Sequence, residues 1–414
     1  MKCDVVVVGA GTSGLMAAIS AASCGAKVVV VEQNQTAGKK LLLTGNGRCN
    51  VTNVCSMQEI IKHIVGNGKF LYSVFQQFNN QDIIAFFKEL HVDLKVEDHG
   101  RVFPVSNKSK TILEALVNKA QSLGVVFQYQ RVAKAIVVKN QQVVGLSTNQ
   151  EVLSCDSVIM ATGGASFPQT GSNGSGYGLI RRLGHHITPL LPSEVALVSK
   201  ESFILDKTLM GLSLKDVCLS VMDQHKKVVS HRLDFLFTHF GVSGPSVLRC
   251  SSFVVKALQH QTTVTLQLDV LPDVSYETLK DFWYQKEVQT MMVKQWLKEY
   301  VPSRFAAFLL HQVSISEQQQ IANVSKKQSQ QLFSMLKEFR FEVCDSLPLQ
   351  QAFVTMGGVS LKEIHAKTLE SKLVKGLYFA GEIMDIHGYT GGYNITAAFA
   401  GGYVAGYWAS QKKS

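Results

Sequence analysis

Gly9, Gly11 and Gly14 stand in a Gly-x-Gly-x-x-Gly spacing between a β-branched run, Val5–Val8, and a stretch of small and apolar residues, Leu15–Ala22. On a strand–turn–helix this spacing has a chemical use. The first glycine permits the tight turn, the second lets the backbone approach a pyrophosphate, and the third lets the helix pack on the strand. The helix start then presents unpaired N–H groups and a partial positive charge to the phosphates. Ala10, Thr12 and Ser13 complete that turn and belong to the same expected contact set. A second β-branched run, Lys27–Val31, ends at Glu32, followed by Gln33. A carboxylate at the end of the second strand can accept both hydroxyls of a ribose, and it disfavours a 2′-phosphate there. The expected ligand is a dinucleotide.

Three further features decide which one. Thr44-Gly45-Asn46-Gly47-Arg48-Cys49-Asn50 is a second glycine turn, able to run beside an extended cofactor. Ala161-Thr162-Gly163-Gly164 ends an apolar run, Ser157–Met160, with residues small enough to leave room for a ligand. Gly381-Glu382 and then Gly391-Gly392-Tyr393-Asn394 bring a remote piece of chain back to the site. NAD would need only the first unit, whereas a cofactor held from both ends of the chain points to FAD. The start of the last helix would then favour negative charge on a reduced flavin.

The elements that must position these residues follow from periodicity. The spacing predicts helices over Leu15–Ala22, from about Ser109 to Leu123 and over Ile395–Ala409, with helical character from Ile60 to Leu90. Strands are expected at Val5–Val8, Lys27–Val31, Val125–Tyr129, Val132–Val138, Val143–Ser147, Ser157–Met160 and Gly376–Phe379. After His186 the texture changes to short alternating stretches suited to a small antiparallel sheet or barrel. Ser275 to Leu336 then has helical period, and α/β texture returns near Phe341. The expected fold is α/β, a discontinuous Rossmann-like FAD/NAD(P)-binding domain of residues 1–188 and 346–414. An insertion of residues 189–345 interrupts it, β-rich over about 189–272 and helical over about 273–345.

Longer motifs carry a resemblance. Gly38-Lys39-Lys40 through Thr44-Gly45-Asn46-Gly47-Arg48-Cys49-Asn50-Val51-Thr52-Asn53, Thr238-His239-Phe240-Gly241-Val242-Ser243-Gly244-Pro245, Val354–Val359 and Gly376–Asn394 span nearly the whole chain. In these the chain resembles the HI0933-like flavoproteins, known also as BaiN-type or aminoacetone-oxidase-type. The resemblance implies a glutathione-reductase-like FAD domain with an inserted β-barrel and a small helical subdomain. It implies FAD contacts at Gly9–Gly14, Glu32, Lys39, Lys40, Thr44, Gly45, Gly47, Arg48, Cys49, Asn50 and Ala161–Gly164. Further contacts are implied at Gly381, Glu382, Asp385, Gly392, Tyr393, Asn394 and Ile395, with a backbone contact to adenine at Val132. Asn46, where many relatives carry glycine, and Ile395-Thr396 depart from the pattern.

Other polar residues carry two readings each. Cys49 fits packing better than redox chemistry, because Cys55 is not at a redox spacing. Arg48 suits either a phosphate or flavin edge or an ion pair with a nearby acid. His387 and Tyr389 could give a proton to substrate or simply pack. The segment around His239 either binds an acidic group or turns between domains. The other function classes are bounded by composition. The chain has 414 residues, 46% hydrophobic and 17% charged, which excludes disorder. Its formal charge of +10 is taken as spread along the chain, with no groove-reading motif, so no specific nucleic-acid partner is expected. Eight scattered cysteines without Cys-x-x-Cys argue for reduced thiols and no metal site. No secretory segment or membrane span is expected, and the protein should be cytoplasmic. The expected activity is FAD-dependent hydride transfer on a small organic substrate, with NAD(P)H binding transiently if it is the donor. The rival is a flavin-binding sensor or RNA-associated protein in which FAD is structural.

Overall fold

Four consecutive valines, Val5–Val8, form strand β1 with every side chain buried. Only a strand inside a sheet covered on both faces hides such a run. The computed structural model describes residues 2–224 and 226–411, and it divides into two units, Met1–Leu191 with Leu349–Ser414, and Pro192–Pro348.

In the first unit β1 is followed by α1 (Thr12–Ser23), β2 (Val28–Glu32), α2 (Lys39–Gly47), α3 (Ser109–Ser122), β3 (Val126–Tyr129), β4 (Ser157–Met160) and α4 (Ser175–Arg181). β5 (Leu377–Phe379) and α5 (Tyr393–Ser410) complete it from the far end of the chain. The five strands form one sheet in the order β5-β4-β1-β2-β3, and each neighbouring pair runs parallel. The chain moves outward through β2 and β3, then returns to the other side of β1 with β4. The direction of winding therefore reverses between β1 and β4, where open parallel sheets bind ligands beyond their strand ends. The helical stretch expected over Ile60–Leu90 is broken into Met57–His63, Gly68–Leu71, Tyr72–Phe75 and Asn80–Glu89.

α1 and α5 meet along a seam of small residues. A Cβ on Gly402 would lie 2.4 Å from the Ser13 carbonyl oxygen, and one on Gly406 would lie 2.2 Å from that of Ala17. Ser20 adds a hydroxyl bond to the Tyr403 carbonyl at 2.7 Å. Glycine at these positions lets the two backbones touch, closer than larger side chains permit.

The second unit holds a seven-stranded antiparallel sheet. Its order runs Phe339–Val343, Val264–Asp269, Ser213–Asp223, Lys226–Phe237, Gly241–Ser243, Leu197–Val198, Asp345–Ser346. The first and last of these strands are consecutive in sequence, separated by Cys344 alone, so the sheet must curl until its ends meet. That is how a barrel removes its edges. Two details differ from the expected layout. A helix, Pro245–Ala257, lies within the β-rich part, and strands Phe339–Val343 and Asp345–Ser346 come after the helices. The β and helical parts are thus interleaved, because hydrogen bonding pairs strands remote in sequence. Trp283, Trp296, Phe305 and Phe333 from the helices share one buried cluster with Leu219, Phe235 and Phe341 from the sheet.

The positive charge is not spread evenly. The first unit carries 24 Lys and Arg against 15 Asp and Glu, and the second 17 against 16.

Candidate cofactor site

Gly9 leaves β1 with φ +104°, a backbone region that favours glycine. A Cβ there would lie 2.6 Å from the Ala161 carbonyl oxygen, and one on Gly14 would lie 1.8 Å from the Gly9 carbonyl oxygen. These two glycines exist for packing. Gly11 is different: a Cβ there would meet nothing within 4 Å. It caps α1 without a side-chain bond, and the first turn holds no acidic residue. The α1 start is thus left without a side-chain cap and has open space at Gly11, as a phosphate site requires.

Glu32, buried at the end of β2, does more than its position suggested. Its Oε2 accepts the Ala10 N–H at 2.8 Å, and its Oε1 accepts the Asn34 N–H at 2.8 Å and the Asn34 amide at 2.7 Å. The carboxylate thus shapes the glycine turn itself, and with three of its roughly four acceptor sites taken, Oε2 can still receive one ribose hydroxyl. Gln33 donates to the Gly171 carbonyl at 2.6 Å, and Asn34 to the Thr170 carbonyl at 3.0 Å, tying the segment after β4 to the end of β2. A prediction follows for Glu32. Glu32→Ala should lower FAD affinity by roughly thirtyfold or more, from lost charge-assisted bonds and a loosened turn. Glu32→Gln should behave like alanine, since one of its ends places an NH₂ group against a protein donor. Titrating stripped protein with FAD measures both, and equal affinities for all three proteins would contradict it.

Val132, where an adenine contact is expected, is held by Asn149. Its N–H donates to Asn149 Oδ1 at 2.9 Å and its carbonyl accepts the Asn149 N–H at 3.0 Å. The Asn149 side chain closes the turn after β3 and occupies the Val132 N–H.

A polar knot joins four segments. Lys40 Nζ, on α2, lies 2.7 Å from Glu382 Oε2 and 2.8 Å from Ser166 Oγ. Glu382 Oε1 accepts the Thr355 N–H at 2.7 Å and the Ser166 hydroxyl at 3.2 Å. Thr355 Oγ1 in turn accepts the Ala165 and Ser166 N–H groups. Burial alone would raise the Glu382 carboxyl, but Lys40 and the Thr355 and Ser166 donors outweigh it and hold it below the usual value. Gly164 leaves room for this arrangement: a Cβ there would lie 2.3 Å from Thr355 Oγ1. Gly163 and Gly381 have φ +72° and +77°. Thr162 Oγ1 is buried without a partner among the described residues.

In the second turn α2 breaks at Thr44, and Gly45, Asn46 and Gly47 take φ of +57°, +55° and +82°. Asparagine is among the residues that tolerate this region, which explains how Asn46 replaces glycine. Arg48 is paired with Glu97, donates from Nε and Nη2 to Asn107 Oδ1 at 3.0 and 2.8 Å, and lies 4.2 Å from the Phe103 ring centroid. Of its two readings the ion pair is the one seen. Cys49 is fully buried, which pushes its thiol up to about 12. A thiolate is then scarce at neutral pH, so the packing reading holds. Asn50 Oδ1 is buried without a partner, 3.2 Å from where a Cβ on Gly392 would stand.

Gly392 has φ +99° and caps α5 without a side-chain bond or first-turn acid. Tyr393 stacks on His63 at 4.4 Å. Asn394 turns back instead of outward: Oδ1 accepts the Gly388 N–H at 2.7 Å, and Nδ2 donates to the Gly388 and Tyr389 carbonyls. Asp385 is tied through its carbonyl to Asn67 at 2.9 Å, and Ile395 is half-buried on the first turn of α5. His387 and Tyr389 are buried. Gly66 lies flat on the His387 ring, its Cβ position 2.0 Å from Nδ1, which favours packing. Lys39 is half-buried at the start of α2. Among the described residues no group of acids, histidines and cysteines could hold a metal ion. No helix is long and apolar enough to cross a membrane.

Two uncapped helix starts, open space at Gly11, and Asn50 and Thr162 oxygens without a partner among the described residues suit a long ligand with central phosphates and a polar ring. Sequence reasoning missed Ser166, Thr355 and Asn34. Nothing near Lys40 could have announced a partner 342 positions away.

Comparison with known proteins agrees. The HI0933-like protein Rossmann domain model matches residues 3–408. The chain is 30% identical over 403 residues to the ribosomal RNA dihydrouridine synthase of Haemophilus influenzae, covering 96% of each chain. It is 29% identical over 411 residues to the 3-dehydro-bile acid delta(4,6)-reductase of Clostridium scindens, covering 98% of each. In fold it is similar to the 3-ketosteroid-delta4-(5alpha)-dehydrogenase of Rhodococcus jostii RHA1, with TM-score 0.53, 14% identity and coverage of 99% and 97%.

Proposed function

The chain belongs to the HI0933-like family of FAD-dependent oxidoreductases, and from that premise we propose that it saturates a carbon–carbon double bond conjugated to a carbonyl. One observation carries this reading. Two relatives of nearly equal identity and full-length match differ in substrate but not in bond type. Forming dihydrouridine saturates the uracil bond conjugated to a ring carbonyl, and a 3-keto steroid delta(4,6) system is conjugated in the same way. Such a reaction needs hydride at the β-carbon, a proton at the α-carbon, and exclusion of water meanwhile.

Bound FAD supplies the hydride. The residues of this chain hold the cofactor and its charge: the α1 start takes the phosphates, Glu32 the ribose, and the α5 start favours negative charge at the ring. Asn50 faces the α5 start as a fixed acceptor, and the Lys40–Glu382 pair keeps the intervening segments in place.

Between the two substrate classes, the charge partition favours uridine within structured RNA. The unit that holds the cofactor has 24 basic against 15 acidic residues, a field that attracts a polyanion. This departs from the expectation of a small organic substrate and no nucleic acid. The test is anaerobic. The flavin is reduced photochemically, so that no donor need be assumed, and reoxidation is followed with an unmodified ribosomal RNA transcript or with a 3-keto-4-ene steroid. RNA-dependent reoxidation, two hydrogens added to uridine by mass spectrometry, and a rate that falls steeply with salt would support the RNA reading. Reoxidation by the steroid alone would leave the bond type and overturn the RNA choice. Reoxidation by neither would overturn the proposal.

A further inference from the structure

We infer that Arg131 is part of the adenosine site of the cofactor, where its guanidinium receives the adenosine half of FAD. The inference rests on FAD as the resident cofactor and is independent of the substrate.

Arg131 follows β3, which lies next to β2 at the edge of the parallel sheet. Its backbone is fixed from both sides. The Arg131 N–H donates to the Glu32 carbonyl at 2.9 Å and the Gln130 N–H to that of Asn34 at 3.0 Å. Gln130 makes the turn with φ +56°, and Val132 is locked by Asn149. The Arg131 side chain therefore starts beside the residue expected to hold the ribose, at the end of the sheet where dinucleotides lie.

The side chain itself is unfinished. Arg131 is half-buried, and its Nε is shielded from solvent with no acceptor among the described residues. No ion pair or hydrogen bond of its guanidinium is found there either. Arg48 and Arg232 show what this chain does elsewhere, pairing each guanidinium with acids. The orphaned atom is Nε, not the terminal nitrogens, and a buried N–H left without an acceptor is costly unless a ligand completes it. The adenosine half supplies what is missing: ring and ribose acceptors for the N–H groups, and a flat π-face against which a planar guanidinium can stack. It also fills the role that Val132, with its N–H already taken, cannot.

FAD removed from the holoenzyme and titrated back, with flavin fluorescence as the readout, tests this on wild type, Arg131→Met and Arg131→Lys. Arg131→Met should weaken FAD roughly tenfold or more, and ADP as a competitor by a similar factor. Arg131→Lys should recover only part, because an ammonium cannot stack or fork. FMN, which lacks adenosine, should bind all three alike. The melting temperature of the stripped protein should not fall in Arg131→Met, since the arginine has nothing to lose there. FAD and ADP affinities unchanged within about twofold would overturn the proposal. So would a loss of affinity matched by a lower melting temperature of the stripped protein, or by an equal loss for FMN.

Discussion

Gly14→Ala abolishes FAD loading and costs about 3 kcal/mol or more of stability, whereas Gly11→Ala abolishes loading alone. The two glycines are three residues apart, but what surrounds them differs. At Gly14 the added methyl would sit 1.8 Å from the Gly9 carbonyl oxygen, 3.0 Å from its carbon and 3.3 Å from Ala161 Cβ. These neighbours are mainly backbone and cannot rotate away. The turn cannot retreat either, because Gly9 is already pressed against Ala161. Relief requires α1 to move off the sheet. At Gly11 the methyl meets nothing within 4 Å, and the residue is extended with φ −82°, which alanine accepts. The methyl would occupy the space a phosphate needs. Melting temperature of stripped protein and flavin content together read both effects. A stable Gly14→Ala protein that still carries FAD would contradict the packing argument.

Lys40→Met is expected to destabilise the protein by about 3 kcal/mol, because it leaves the Glu382 carboxylate partly buried without its cation. Lys40 and Glu382 side chains are only 29% and 20% exposed, so solvent cannot fully replace the lost partner. Glu382→Gln leaves the ammonium with Ser166 and should cost somewhat less. The double variant should lose clearly less than the two single losses added together, as coupled pairs do. The pH dependence gives a second readout. In the wild type the carboxyl is held below its ordinary value. Its contribution is complete above the ordinary carboxylate range and is lost as pH falls into the lowered folded value. Without Lys40, burial has the upper hand and the folded value moves above the unfolded one. The sign then reverses: Lys40→Met should lose stability as pH rises through the carboxylate range. Urea unfolding across acidic pH measures this, and parallel curves for the two proteins would rule out the pairing as a stabilising contact.

Much of the cofactor unit was legible because its signals are local. The Val5–Val8 run, the three glycines and Glu32 lie within one strand–helix–strand unit, and that unit forms as their types and spacing imply. α3 and α5 were likewise readable from period and from the glycines at their ends. Less legible was whatever depends on pairing at a distance. Nothing in Leu377–Phe379 says that it joins β4, and nothing in Phe339–Val343 says that it pairs with Val264–Asp269 across four helices. Side-chain roles failed for the same reason. Arg48 sits in a turn with cofactor character, yet Glu97 and Asn107 claim it from strands and loops about fifty positions on. Val132 lost its donor to Asn149, a contact set by how one hairpin closes. The Asn394 side chain clasps its own loop, a bond pattern that the motif does not announce. Composition hid one more fact. A charge of +10 looks diffuse until the chain is divided by unit, when nearly all of it falls on one side.

The seam between α1 and α5 also bears on how the protein is made. α1 is translated near the start and α5 only after some 370 further residues, yet Ser13 and Ala17 lie against Gly402 and Gly406 with no room for any other filler. On the ribosome, the emerging β1–α1–β2 segment has one face that nothing can cover, and β4 waits for β5 as its neighbour. The intervening unit has its strands and core entirely within residues 192–348 and can fold first. The nascent cofactor unit stays open throughout, its phosphate turn formed on a helix that is not yet held. The cofactor unit therefore closes only once α5 has been made, because its seam needs both ends of the chain.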